Sequence, residues 1–289
     1  MFKKSKIIFL SAFLMLPAFF LRAQTLYWSV TYNGSQNAWD ESRLLYVDAS
    51  GNSYFGAYET TATNNDVAIF KYDALGNQLW KAGYNGGWNG IDWANAMAVD
   101  ASGNLYVTGY VTDPLGTAMV IKFNSSGVYQ WIAYFSSTSS DEGAAIVTDG
   151  TYVYATSSDF VFSHFNNDYI TIKLDCSTGT LQTGWPQWFN GAANNYDVPT
   201  GIAIDNSSNV YVTGYSTNSS GNKDIATVAY TTGGVAIAGW PAVYNGSGNG
   251  DDVPAQILVK GATIYVTGYC TGSGTNWDMF TTAYTSAGA

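Results

Sequence analysis

The chain is poor in the residues that most often announce chemistry. It has one histidine, His164, and two cysteines, Cys176 and Cys270, in 289 residues. A lone histidine cannot build a typical zinc site, and two cysteines make no disulfide framework. Their repeat positions differ, so two separate thiols are expected. Charged residues are only 11% of the chain. No phosphate loop, dinucleotide fingerprint or Gly-x-Ser-x-Gly elbow occurs. No segment carries a sustained apolar stripe at helical spacing.

The one long apolar run is Ile7 to Phe20, preceded by Lys3, Lys4 and Lys6 and followed by Leu21-Arg22-Ala23. It is short for a membrane span, which needs about 20 residues. It has the charged, apolar and small-residue parts of a secretory signal. Residues 1–23 are therefore expected to be removed, leaving 24–289 as one large β domain outside the cytoplasm. Without those first residues the chain keeps 7 basic against 21 acidic residues, a net charge of −14. That surface repels nucleic acid and anionic lipid heads. It suits cations, neutral sugars or basic partners, or simply serves solubility.

What fills the chain is Gly, Asn, Ser, Thr and aromatics, arranged in five repeats of about 53 residues. The landmark is Trp, three residues, then an aromatic. It recurs at Trp28/Tyr32, Trp80/Tyr84, Trp131/Phe135, Trp185/Phe189 and Trp240/Tyr244. An Asp comes next, with a polar residue eight positions later: Asp40/Asp48, Asp92/Asp100, Asp141/Asp149, Asp197/Asp205 and Asp252/Lys260. Asn104-Leu-Tyr106-Val-Thr-Gly109 then returns as Asn209-Val-Tyr211-Val-Thr-Gly214 and Ile264-Tyr265-Val-Thr-Gly268. Asp66, Asp168, Asp224 and Asp278 each open an alternating strand, and Thr117 holds that place in the second repeat.

Each repeat thus holds four short runs rich in β-branched and aromatic residues, separated by turn residues that tolerate positive φ. This predicts an all-β, five-bladed β-propeller of four-stranded antiparallel blades. Gln24-Thr-Leu-Tyr-Trp28 reads as a fourth strand, whereas the chain stops at the turn before one. The ring is therefore expected to be closed by the N-terminal strand.

The pattern Asp-x8-Asp, Gly-Asn-x-Tyr-Val-Thr-Gly, Asp-x-x-x-x-Lys-Tyr and Gly-x-x-x-Trp resembles the bacterial beta-propeller repeat family SBBP, and is similar to delta-60 repeats. The family name implies seven blades, where this sequence carries five repeats. The resemblance implies exported or cell-surface proteins, often within larger assemblies. It implies no shared reaction and no catalytic residues.

The strand order places two sets of loops on one face. Asp40, Asp92, Asp141, Asp197 and Asp252 are candidates for a cation such as Ca²⁺, which takes oxygen ligands. Two of them could instead form the acid pair of a carbohydrate-active enzyme. Against both, a residue that recurs in every blade usually serves every blade, here by accepting backbone N–H bonds. The residues that break the pattern are more informative. Trp39, Trp88, Trp93, Tyr196 and Trp277 are the candidate ligand-binding aromatics, able to stack on sugar rings or to pack between blades. Tyr58, Tyr110, Phe160, Phe162, His164, Tyr215 and Tyr269 share those loops. The expectation is a monomeric binding module for a glycan or an extracellular protein, with no catalytic residues assigned. The alternatives are a secreted carbohydrate-active enzyme and a structural repeat protein of the cell envelope.

Overall fold

The computed structural model describes residues 27–112, 117–135, 141–161, 163, 165–274 and 276–288. The signal expected over 1–23, together with Phe162 and His164, lies outside them. Among the described residues there are 19 strands and no helix. The first blade is β1 (Glu41–Val47), β2 (Ser53–Thr60), β3 (Asn65–Tyr72) and β4 (Gln78–Tyr84). The second is β5 (Asp92–Val99), β6 (Leu105–Val111), β7 (Thr117–Phe123) and β8 (Tyr129–Tyr134). The third is β9 (Gly143–Thr148), β10 (Tyr152–Val161), β11 (Asn166–Asp175) and β12 (Gln187–Phe189). The fourth is β13 (Asp197–Ile204), β14 (Val210–Thr217), β15 (Lys223–Tyr230) and β16 (Ala242–Tyr244). The last has β17 (Val253–Lys260), β18 (Thr263–Thr271) and β19 (Trp277–Thr285). Every sheet runs antiparallel in chain order.

Turn chemistry explains these boundaries. Asp48, Asp100 and Asp205 each accept two backbone N–H groups inside the first hairpin turn of their blade, which fixes the turn as an Asx motif. Their second oxygen receives the hydroxyl of Tyr54, Tyr106 and Tyr211 respectively, at 3.4, 3.1 and 3.2 Å. Those tyrosines are fully buried between blades. The eight-residue Asp spacing thus joins a loop fastener to a turn fastener across one inner strand.

The repeating tryptophans link each blade to its successor. The indole N–H of Trp80 donates to Ser125 O, Trp131 to Cys176 O, Trp185 to Thr232 O and Trp240 to Ser286 O, at 3.0–3.3 Å. Trp28 makes the same bond to Ala74 O on the first blade, at 3.2 Å. It also sits over Gly76, where a Cβ would come within 2.9 Å of the indole. Residues 27–34 lie outside the assigned strands. They nevertheless occupy, on the first blade, the place of a preceding blade's fourth strand.

The last sheet has three strands among the described residues. The residue after each strand-opening Asp or Thr117, namely Val67, Ala118, Tyr169 and Ile225, is buried, whereas its counterpart Met279 is 98% exposed. Leu258 and Tyr265 on that face, and Leu45 and Val47 on the facing side of the first blade, are exposed too. Both thiols are free, as expected.

The carboxylates fall into two classes. Burial works to raise the pKa of Asp48 and Asp149, but hydrogen bonds from Asn52, and from Tyr152 and Ser208, leave both below the ordinary value. Asp175 is lowered by the Thr178 N–H. By contrast, burial raises Asp66, Asp92 and Asp224. A lowered group stabilises the fold above its unfolded pKa and loses that contribution as pH falls through its folded pKa. A raised group contributes fully at low pH and loses its contribution as pH rises through its folded pKa. As pH falls, a Tm series should therefore first gain slightly through the folded pKa values of the raised carboxylates, then fall below about pH 4, where the lowered ones lose their contribution. A monotonic decline from pH 7 would contradict this assignment.

Candidate functional site

The loop between β2 and β3, and its counterparts, lie beside the loops that cross from one blade to the next. Thr112 N donates to Ile91 O and Thr217 N to Tyr196 O. Asn166 Nδ2 donates to Asn194 O and Asn222 Nδ2 to Asn249 O. The two loop sets therefore share one face, as the strand order implied.

The recurring aspartates hold this face together. Asp92, with no exposed surface, accepts the N–H of Gly86 at 2.6 Å and of Thr112 at 2.8 Å. Asp252 does the same with Gly246 and Thr271, and Asp40 with Gly34 and Thr60. Asp197 accepts the N–H of Gly191, and Asp141 is buried. In those first three, both carboxylate oxygens are committed to backbone donors. Among the described residues no group of three or more His, Cys, Asp or Glu is placed to hold a metal ion. Asp40, Asp92 and Asp252 are thus each spent fastening their own crossing loop.

The pattern-breaking aromatics behave differently. Trp93 stacks on Tyr110, with ring centres 5.0 Å apart and planes at 25°, and its indole N–H donates to Glu142 at 3.4 Å. Trp277 lies over Tyr269 at 4.7 Å and 32°. Tyr110 and Tyr269 both follow the Val-Thr-Gly landmark, but Trp93 reaches its tyrosine from β5, on one side, and Trp277 from β19, on the other. At the place of Trp277 in the fourth blade Lys223 lies over Tyr215 instead. Trp39 and Trp88 stand exposed on the crossing loops at 86% and 66%, and Tyr196 is half-exposed. The structure joins Trp93 and Trp277 to tyrosine partners that the sequence placed nearby without pairing.

Sequence reasoning missed a groove of about 640 Å³ beside the fourth blade. Phe189 and Asn190 to Ala193 form one wall. Ser216 to Ser219, Asp224, Pro241 and Val243 form the rest. Phe189 had read only as a repeat landmark and Asp224 only as a strand opener. The signal was the pair Ser216 and Pro241, small and apolar at positions that hold Glu59 and Lys81 in the first blade.

Among solved structures, a thermostable family-43 glycoside hydrolase is 14% identical, with 85% of this chain and 88% of that one covered, at a TM-score of 0.44. An endo-arabinase from Bacteroides thetaiotaomicron VPI-5482 is 12% identical over 84% and 93%, at 0.43. An ulvan lyase of polysaccharide lyase family PL25 is 8% identical over 88% and 72%, at 0.46. Likeness this distant carries no activity to this chain. No curated protein matches it. Residues 180–222 match the family model "SBBP: Beta-propeller repeat", and the landmarks of that segment recur along the chain.

Proposed function

We propose that the chain is an exported binding module that recognises a glycan through its loop-bearing face. The observation that carries this reading is the pair of stacked, partly exposed platforms, Trp93 on Tyr110 and Trp277 on Tyr269. A flat aromatic with a polar rim suits the apolar face of a sugar ring. The acidic balance of the chain excludes anionic polymers as easy partners. On a glycan array, the full chain should bind a restricted set of neutral glycans. Trp93→Ala and Trp277→Ala should each weaken the best binder by about tenfold, the order of one interfacial anchor. Undiminished binding in the double variant would remove the platforms from the site.

The ring reading belongs to the same proposal. Residues 28–32 would complete the last blade against β19, pairing Tyr32 with Met279 as Tyr244 pairs with Ile225. Three features support it: the seating of Trp28 on the first blade, the three-stranded last sheet and the exposed Met279.

A further inference from the structure

We infer that the groove beside the fourth blade is a second ligand site, which takes one or two rings of a neutral sugar. Its existence follows from a comparison of blades. In the first blade, Glu59 and Asp66 face each other across β2 and β3. Lys81 lies over them, ion-paired to Glu59 and hydrogen-bonded to the Tyr32 hydroxyl at 2.6 Å, and the space left there is about 390 Å³. Tyr32 is the counterpart of Phe189. In the third blade, Asp159 and Asp168 face each other, and the indole of Trp188 covers Asp159 with an N–H bond of 3.3 Å. In the second blade Thr117 replaces the Asp. The fourth blade keeps the acid, Asp224, opposite Ser216, but Pro241 replaces Lys81 and Val243 stands where the third blade has Trp188. The space is left open, at a volume typical of small-ligand sites.

The lining has the two halves that a sugar needs. Phe189, Pro241 and Val243 offer an apolar wall for the C–H face of a ring. Asp224 is 9% exposed and receives only the Asn218 side-chain amide, at 3.0 and 3.1 Å to its two oxygens. An ionised carboxylate can accept about four hydrogen bonds, so Asp224 keeps accepting capacity at the groove it lines. The Asn218 amide is itself fixed, because its oxygen accepts the N–H groups of Ser220 and Asn222 at 3.0 and 3.1 Å. Paired sugar hydroxyls would satisfy the acid. A hard metal ion would need several oxygen ligands, and a single carboxylate with no second acid is a poor start.

The test uses the full chain and calorimetric titration with methyl glucoside, methyl galactoside, cellobiose and, as a cationic probe, propylamine. At least one neutral sugar should bind. Val243→Trp, which installs at an exposed position the cover that the third blade already has, should weaken it at least tenfold. Asp224→Asn should also weaken it about tenfold, with an unchanged Tm for Val243→Trp showing that the blade still folds. Trp93→Ala should leave this binding intact, which separates the groove from the aromatic platforms. Binding of propylamine alone, binding of none of the probes, or sugar binding indifferent to Val243→Trp would overturn the assignment.

Discussion

Tyr211→Ala is expected to cost about 3–5 kcal/mol of stability, the range for emptying a large buried aromatic site. Tyr211 has no exposed surface. Its ring meets Trp240 edge-on at 5.7 Å and its hydroxyl reaches Asp205. Burial and the Asp205 charge push its pKa up to about 12, so the hydroxyl stays protonated and donating across the working range. Removing the ring leaves a void between two blades and strips Asp205 of one donor. Tyr211→Phe should cost only about 1 kcal/mol, the value of the single hydrogen bond. The informative comparison is Tyr265→Ala, at the matching place of the last blade, where Tyr265 is 42% exposed. If the last blade docks on the first in solution, Tyr265→Ala should approach the cost of Tyr211→Ala. A denaturant series showing a cost below about 1 kcal/mol at Tyr265 would leave that face open and sink the ring proposal.

Asp92→Ala should be as damaging, at about 3–5 kcal/mol. Two backbone donors, Gly86 N and Thr112 N, lose a charged acceptor at a site with no exposed surface, and hydrogen bonds to charged groups are worth about 1.5–3 kcal/mol each. Gly86 is itself closely packed there, since a Cβ on it would lie 2.7 Å from Val111 Cγ2. Asp92→Asn tests the acceptor role directly, since the amide can satisfy only one of the two donors. A variant as stable as the parent at every pH would show that the crossing loop is held by something other than this carboxylate.

Legibility in the sequence tracked repetition. Strand number per repeat, the turn aspartates and the Trp landmark were all readable, because each recurs in register and each serves its own blade. Even the structural role of Asp92 followed from its recurrence. What the repeat hid was reach. Nothing in a single copy says that Trp80 completes the next blade rather than its own, because the bond to Ser125 O spans 45 residues. The groove was hidden for the opposite reason. It arises where two repeats leave wide a space that the first blade narrows, so it appears only when Ser216 and Pro241 are set against Glu59 and Lys81. Trp93 and Trp277 were readable as exceptions, but their tyrosine partners belong to a recurring landmark and drew less notice.

The tryptophan bonds also give the fold a direction in time. Each indole finds its carbonyl partner only when the following blade has made its turn, so each tryptophan is seated by sequence that comes after it. A chain gaining order from its N-terminal end would quench solvent access to Trp28, Trp80, Trp131, Trp185 and Trp240 one after another. The protein thus carries five built-in fluorescent reporters, each reading the arrival of its neighbour rather than the folding of its own sheet.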